Sequence, residues 1–315
     1  MFLVKTNQID LFIKFATSIQ NRYSYIHLFF TKMVQTQLRF IDLDAWKAKL
    51  PDLKKQYATE DPFPHIIIDD FLRPEELEKA EKEFPPVEDA GWIHYLHFNE
   101  KKHGLNKMEL IPEQCRSLIQ ELNSPEFLEF LEEVTGIPHL IPDESLEGGG
   151  LHQSKKGGFL NIHADFTVHP HKRNWRRRVN VLVYLNKDWQ PEYKGELELW
   201  TRDMKTCRAK ALPLFNRCVI FNTDYDSFHG LPEPINCPEN MTRKSIALYY
   251  FTEEKETPKK VNTNYKARPD ESFGKKTMVF FDKQLLWTYS RIKSTLGLND
   301  DFASRILRFF GGKKK

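Results

Sequence analysis

The sequence predicts a mainly β fold with flanking helices, and three observations carry that expectation. Residues 243–251 alternate with a period of two: Arg243, Ser245, Ala247 and Tyr249 fall on one side, Lys244, Ile246, Leu248 and Tyr250 on the other. Short apolar or β-branched runs at 62–72, 179–186 and 219–222 have the length and composition of strands. The triplet His163-Ala164-Asp165 puts two metal-ligating side chains at i and i+2, which share a face only in a strand.

The elements follow in order. Residues 1–32 hold apolar patches interrupted by Lys14 and Arg22, too broken for a membrane span and without a signal-peptide cleavage pattern. Asp10 is their one acidic residue, a composition open to an organelle-targeting peptide, and Met33 is an alternative start. Residues 38–57 read as an extended piece and a helix broken by Pro51, and 62–72 should enter the sheet. Arg73-Pro74-Glu75-Glu76 opens a helix, with proline in the first turn and carboxylates at the positive end of the dipole. Ser124 is an N-cap before a helix with Leu128, Leu131 and Val134 as its apolar stripe.

The glycine-rich stretch 147–158 reads as a loop. Its spacing is not that of a phosphate cradle, so a lip over a pocket, with His152 or Gln153 reaching inward, is the expectation. Trp175-Arg176-Arg177-Arg178 reads as a solvated turn before a strand, and His169-Pro170-His171 as an incidental solvated pair or part of a rim. The tail 255–315 carries 15 Lys or Arg against 6 Asp or Glu, a surplus of nine positive charges. Helical periodicity there (Leu285, Leu286, Tyr289, Ile292, Leu296, then Phe302, Ile306, Phe309, Phe310) predicts a docked or dimer-forming extension, with membrane-surface contact as the alternative. Three regions result: 1–60, an N-terminal extension and helix; 61–254, the principal domain with bracing helices; and 255–315, a basic helical extension.

Composition narrows the class of function. A chain of 315 residues can bury a sizeable core, and its formal charge of +3, from 47 basic and 44 acidic residues, is too balanced for a nucleic-acid binder. Four cysteines without CxxC spacing fit a reducing compartment such as the cytoplasm.

The chemistry concentrates in His163, Asp165, His229 and the Arg243-x-Ser245 pair. Two imidazoles and a carboxylate can hold one face of an octahedral Fe(II) and leave adjacent positions for a chelating cosubstrate and O2. A structural zinc site would instead close its shell with four protein ligands, usually including thiolates. His229 should come from a distant strand facing the first across a sandwich. Arg243 and Ser245 then project together into a cavity, where a guanidinium fork matches the far carboxylate of a dicarboxylic acid whose other end chelates the metal. Singly, each element has an ordinary reading as a solvated pair, a loop histidine or a strand-edge charge; jointly they specify a metal site.

From residue 62 to about residue 252 the chain resembles the prolyl 4-hydroxylase-like branch of the Fe(II)- and 2-oxoglutarate-dependent dioxygenases. Val183-Tyr184-Leu185-Asn186-Lys187-Asp188-Trp189 is similar to a strand of the hypoxia-sensing prolyl hydroxylases, and Gly195-Glu196-Leu197-Glu198-Leu199 to the family's Gly-Gly-x-Leu strand with Lys194 replacing the first glycine. The resemblance implies a double-stranded β-helix, or jelly roll, with iron on His163, Asp165 and His229. It also implies that 2-oxoglutarate is held by Arg243 with Tyr184 donating to the same carboxylate, and that ascorbate serves as reductant. Hydroxylation of an aliphatic C–H bond with release of succinate and CO2 is the implied reaction, because halogenating relatives lack a carboxylate in the place of Asp165. Gln153 stands where the family often carries a tyrosine that contacts the ketoacid. The implied substrate is a peptidyl proline; a free or glycan-linked small molecule, a cupin-like metal enzyme without 2-oxoglutarate, and a silent binding module are the alternatives. Oligomeric state is not legible in these residues.

Overall fold

Helices brace one side of a folded sheet in the computed structural model, which describes residues 39–296. The helices are α1 (Leu43–Lys47), α2 (Leu50–Thr59), α3 (Pro74–Lys82), α4 (Glu113–Leu122), α5 (Pro125–Thr135) and α6 (Phe273–Leu296). The strands are β1 (His65–Ile68), β2 (Ile93–His97), β3 (Glu100–Leu105), β4 (Ile141–Pro142), β5 (Gly150–Ser154), β6 (Phe159–Ala164), β7 (Trp175–Tyr184), β8 (Leu197–Trp200), β9 (Cys207–Ala211), β10 (Cys218–Asn222), β11 (His229–Leu231), β12 (Arg243–Glu253) and β13 (Asn264–Tyr265). The expectations for residues 1–32, the alternative start at Met33 and the helix over 302–310 lie outside the described residues. No helix among the described residues is long and apolar enough to cross a membrane.

The hydrogen-bonded order is β1-β10-β7-β12-β5-β3-β6-β11-β8-β9, and every pairing is antiparallel. β3 bonds to both β5 and β6, so it joins the layer β1-β10-β7-β12-β5 to the layer β6-β11-β8-β9. The layers then face each other, because Phe63, Tyr184, Val219 and Phe221 from the first pack on Leu197, Leu199 and Ala211 from the second. This nearly closed antiparallel barrel is the expected double-stranded β-helix. Phe221 is wholly buried between the layers, and truncating such a ring to alanine costs about 3–5 kcal/mol.

Local signals account for the helices. Ser124 Oγ accepts from the Phe127 amide at 3.3 Å, Pro125 occupies the first turn, and α5 ends at Gly136 in the left-handed region (φ 68°). The buried stripe is Phe127, Phe130, Leu131 and Val134, with Leu128 only half-buried. Pro51 does not break a helix; it lies in the first turn of α2, where its missing N–H costs nothing. Tyr57 Oη donates to Asn222 Oδ1 at 2.6 Å and Tyr250 Oη to the Leu122 carbonyl at 2.7 Å, which ties α2 and α4 to the first layer.

Three expectations are corrected. The glycine-rich stretch 147–158 is a loop only at its two ends, and its middle is a strand: β5 lies between β3 and β12, and Gly150 (φ 91°) permits it, since a Cβ there would sit 2.3 Å from the Leu105 carbonyl oxygen. Trp175–Arg178 is the start of β7 rather than a solvated turn. His229 does not face His163 across a sandwich; β11 is the bonded neighbour of β6, with the two histidines as register partners. Past residue 254 the chain adds one more short strand to the sheet, because β13 pairs with β6. Short paired segments such as β13 carry too few residues for period-two patterning to reveal them.

Candidate active site

His163 is the second-last residue of β6 and Asp165 follows one residue past its end, while His229 opens β11 directly opposite His163. Gly230 allows the two strands to meet: a Cβ there would lie 2.8 Å from the Leu160 carbonyl oxygen and 2.9 Å from that of Asn161. The ligand atoms of His163, Asp165 and His229 all lie within 4.8 Å of one another. His163 Nε2 is 3.5 Å from Asp165 Oδ1, and His229 Nε2 is 3.4 Å from Asp165 Oδ2.

Both imidazoles are oriented by their own strands. His163 Nδ1 lies 2.9 Å from the Asn161 carbonyl and His229 Nδ1 lies 2.9 Å from the Ser227 carbonyl. A carbonyl can only accept, so each ring carries its proton on Nδ1 and turns the Nε2 lone pair inward. Burial, partly opposed by Asp165, lowers the His229 pKa to about 4, which keeps the ring neutral as a ligand must be.

Asp165 is held from the far side. Its Oδ2 accepts from Arg177 Nη2 and from Asn180 Nδ2, both at 2.9 Å, and Asn180 Oδ1 accepts from Arg177 Nε at 3.0 Å and Nη2 at 2.8 Å. Burial opposes ionisation of Asp165, but Arg177 and then His229 overcome it and hold the carboxyl well below the usual carboxylate range. Arg177 is 1% exposed and stacks 3.5 Å from the Tyr249 ring centre. A bulge delivers it: Tyr250 pairs with Val179 and Phe251 with Arg177, so Arg178 is an extra residue on β7 and Arg177 turns to the face that bears Asn180 and Tyr184. Sequence reasoning missed Arg177 and Asn180, since a bulge leaves no period to read.

The carboxylate pocket is equally specific. Arg243 is buried, its Nε donates to the Gly195 carbonyl at 2.8 Å, and among the described residues no carboxylate pairs with it. Its guanidinium lies 4.9 Å from the Tyr184 ring centre, and the buried Tyr184 hydroxyl has no hydrogen-bond partner. Burial raises the Tyr184 pKa against the pull of Arg243, so the phenol stays protonated and able to donate. Ser245 is buried and is the register partner of Tyr184. A buried cation without an anion beside an orphaned hydroxyl is a cradle for a carboxylate. Lys194, where the family has glycine, adopts φ 59° and ψ −150° immediately before Gly195.

The structure brings His163, Asp165, His229, Arg243, Tyr184 and Ser245 together in the barrel interior, but not Gln153. Gln153 is the register partner of Lys244 on the opposite face and donates to the Pro85 carbonyl at 2.9 Å. Its neighbour His152, partner of Ser245, is the inward residue, and burial with nearby Lys102 lowers its pKa to about 3. His169 is not solvated either: it is buried, 3.4 Å from Asp143 Oδ1, and its Nδ1 accepts from the His171 and Lys172 amides.

The C-terminal segment also reaches the site, which the sequence did not reveal. Tyr265 on β13 is the register partner of His163, and the two ring centres are 5.4 Å apart. From α6, Asp282 Oδ2 meets His97 Nδ1 at 3.0 Å, and His97 Nε2 meets Glu100 Oε1 at 2.7 Å. Glu100 in turn pairs with Lys102 at 3.2 Å.

Residues 149–251 match the family model described as the 2OG-Fe(II) oxygenase superfamily. This segment contains His163, Asp165, His229 and Arg243. Among solved structures, the chain is similar to a prolyl hydroxylase from Trichoplax adhaerens in complex with a hypoxia inducible factor peptide fragment, at 19% identity and TM-score 0.43, covering 65% of this chain and 92% of that one. A Pseudomonas putida prolyl-4-hydroxylase gives 16% identity and TM-score 0.41, covering 65% of this chain and 99% of that one. HygX from Streptomyces hygroscopicus, with nickel, 2-oxoglutarate and hygromycin B bound, gives 14% identity and TM-score 0.42, covering 63% and 87%. No curated protein sequence matches the chain.

Proposed function

We propose that this chain is an Fe(II)- and 2-oxoglutarate-dependent dioxygenase that hydroxylates an aliphatic C–H bond, with a peptidyl proline as its substrate. The observation that carries the reading is the buried Arg243 guanidinium without a carboxylate partner, beside the orphaned Tyr184 hydroxyl and in one interior with three preoriented metal ligands. In this reading His163, Asp165 and His229 hold the iron, Arg243 forks the distal carboxylate of 2-oxoglutarate, and Tyr184 and Ser245 supply hydroxyls to it. Bound there, iron with 2-oxoglutarate and O2 would supply the oxidising power, with succinate and CO2 as coproducts and ascorbate as the reductant.

The chain's own residues orient and insulate that chemistry. The Asn161 and Ser227 carbonyls keep the protons of His163 and His229 at Nδ1, and Arg177 with Asn180 fixes the Asp165 carboxylate. Burial of the ligands excludes bulk water, which strengthens each of these contacts. The proline assignment rests on the similarity of residues 183–189 to the hypoxia-sensing prolyl hydroxylases.

The test is an anaerobic titration of the protein with Fe(II) and 2-oxoglutarate, read as the weak charge-transfer band of the chelate in the visible. The band should require both components and weaken in Arg243→Ala. Bound iron without a band would favour a cupin-like metal protein that does not use 2-oxoglutarate.

A further inference from the structure

Asn99 is wholly buried at the turn between β2 and β3, where it joins two elements far apart in sequence. On one side its carbonyl accepts from the Asn161 amide at 2.8 Å, and its Oδ1 accepts from Asn161 Nδ2 at 3.1 Å. On the other side its Nδ2 donates to Asp282 Oδ2 on α6. A carboxylate can only accept, so Asp282 takes the nitrogen end of the Asn99 side chain and leaves the oxygen end for Asn161. Both ends are occupied, and the orientation of the amide is fixed.

Asn161 passes this restraint to a candidate metal ligand. Its carbonyl accepts from His163 Nδ1 at 2.9 Å, the contact that turns the Nε2 lone pair of His163 toward Asp165 and His229. Hydrogen bonds therefore run without a break from Asp282 through Asn99 and Asn161 to His163. A second line of contact starts from the same carboxylate oxygen. Asp282 Oδ2 accepts from His97 Nδ1 at 3.0 Å, the His97 ring lies edge-on to Tyr265 at 6.2 Å, and Tyr265 lies 5.4 Å from the His163 ring. The Asp282 side chain is only 10% exposed. Burying a carboxylate is costly, and the buried Val279 already docks α6 by apolar packing, so the polar contact serves to specify position.

Resting on the metal-site part of the reading above, we infer that Asp282 and Asn99 are positioning residues for His163, so that α6 is a working part of the candidate metal centre. Coupling of this kind is reciprocal. Docked α6 favours the orientation of His163 that binds metal, and bound metal favours docked α6 by the same factor.

The test is Co(II) binding to the full chain, followed by the visible absorption of the bound ion, together with hydrogen exchange of the α6 amides; neither depends on turnover. Asp282→Leu removes the acceptor and should weaken Co(II) binding about threefold to tenfold and shift the absorption of the ion that still binds. Asp282→Asn keeps an oxygen to which Asn99 and His97 can donate and should restore the wild-type affinity and spectrum. In wild type, Co(II) should slow exchange of the amides over 276–282, and the slowing should vanish in Asp282→Leu. The wild-type exchange measurement needs no variant, so it decides the matter even if Asp282→Leu folds poorly. Unchanged affinity in Asp282→Leu, an equal loss in Asp282→Leu and Asp282→Asn, or α6 exchange indifferent to metal would each overturn the inference while leaving the metal site standing. Wild type that binds no Co(II) would overturn the metal-site reading and the inference together.

Discussion

Arg177 Nη2 donates to Asp165 Oδ2 at 2.9 Å from a position on β7 that only a bulge makes inward-facing. The guanidinium and Asn180 converge on that oxygen, which leaves Oδ1 turned toward His163. Arg177→Met should therefore weaken Fe(II) or Co(II) binding about 10–100-fold, the scale on which supporting contacts act on metal ligands. Anaerobic metal titration reads this directly, and an unchanged affinity would remove Arg177 from the site.

Tyr184→Phe separates the cosubstrate from the fold. The wild-type hydroxyl is buried without a partner, so its removal should leave the protein without ligands as stable as before or about 1 kcal/mol more stable in denaturant unfolding. 2-Oxoglutarate binding should weaken about fivefold to tenfold, the worth of one hydrogen bond to a charged group, while metal affinity stays constant. Weaker metal binding in this variant would contradict the assignment.

His97 makes the docking of α6 sensitive to alkali. Burial lowers its pKa, but the hydrogen bonds it donates to Asp282 and Glu100 outweigh burial and raise it from 6.5 to about 9. The folded state binds this proton more tightly than the unfolded state, so the stabilisation is complete below about pH 6.5 and is lost as pH rises through 9. Thermal unfolding of wild type should lose on the order of 2–3 kcal/mol across that window. His97→Gln should flatten the profile there; an identical profile would show that the proton sits elsewhere.

Gly230→Ala probes the contact between β11 and β6. The new methyl would meet two carbonyl oxygens of β6 at 2.8 and 2.9 Å, neither of which can move without displacing the strand that carries His163. A loss of about 1–3 kcal/mol in stability is expected, with weaker metal binding. Preserved affinity would mean that the strands part without disturbing the ligands.

Much of the site was legible in the sequence because it follows the strand period. His163 and Asp165 at i and i+2, and Arg243 and Ser245 likewise, could be placed on common faces before any coordinates were known. Tyr184 came from motif similarity alone. The same rule failed where the period breaks or tertiary pairing decides. Gln153 and His152 are adjacent, so a strand turns one of them away, and the residues themselves do not say which. Arg177 depends on a bulge, and Tyr265 on a two-residue strand far along the chain. The buried His169 was read as solvated because its partner Asp143 is remote in sequence.

The pairing of β6 with β13 has a consequence for biosynthesis. The strand that carries His163 gains Tyr265 beside it only after nearly the whole domain has been translated. A nascent chain halted between residues 232 and 264 holds His163, Asp165 and His229 yet leaves β6 unpaired on one side at His163 and Ala164, an edge open to association with other chains. Correct assembly of the ligand cluster is thus a late, post-translational event, and premature termination within 232–264 should yield insoluble protein rather than a weakened enzyme.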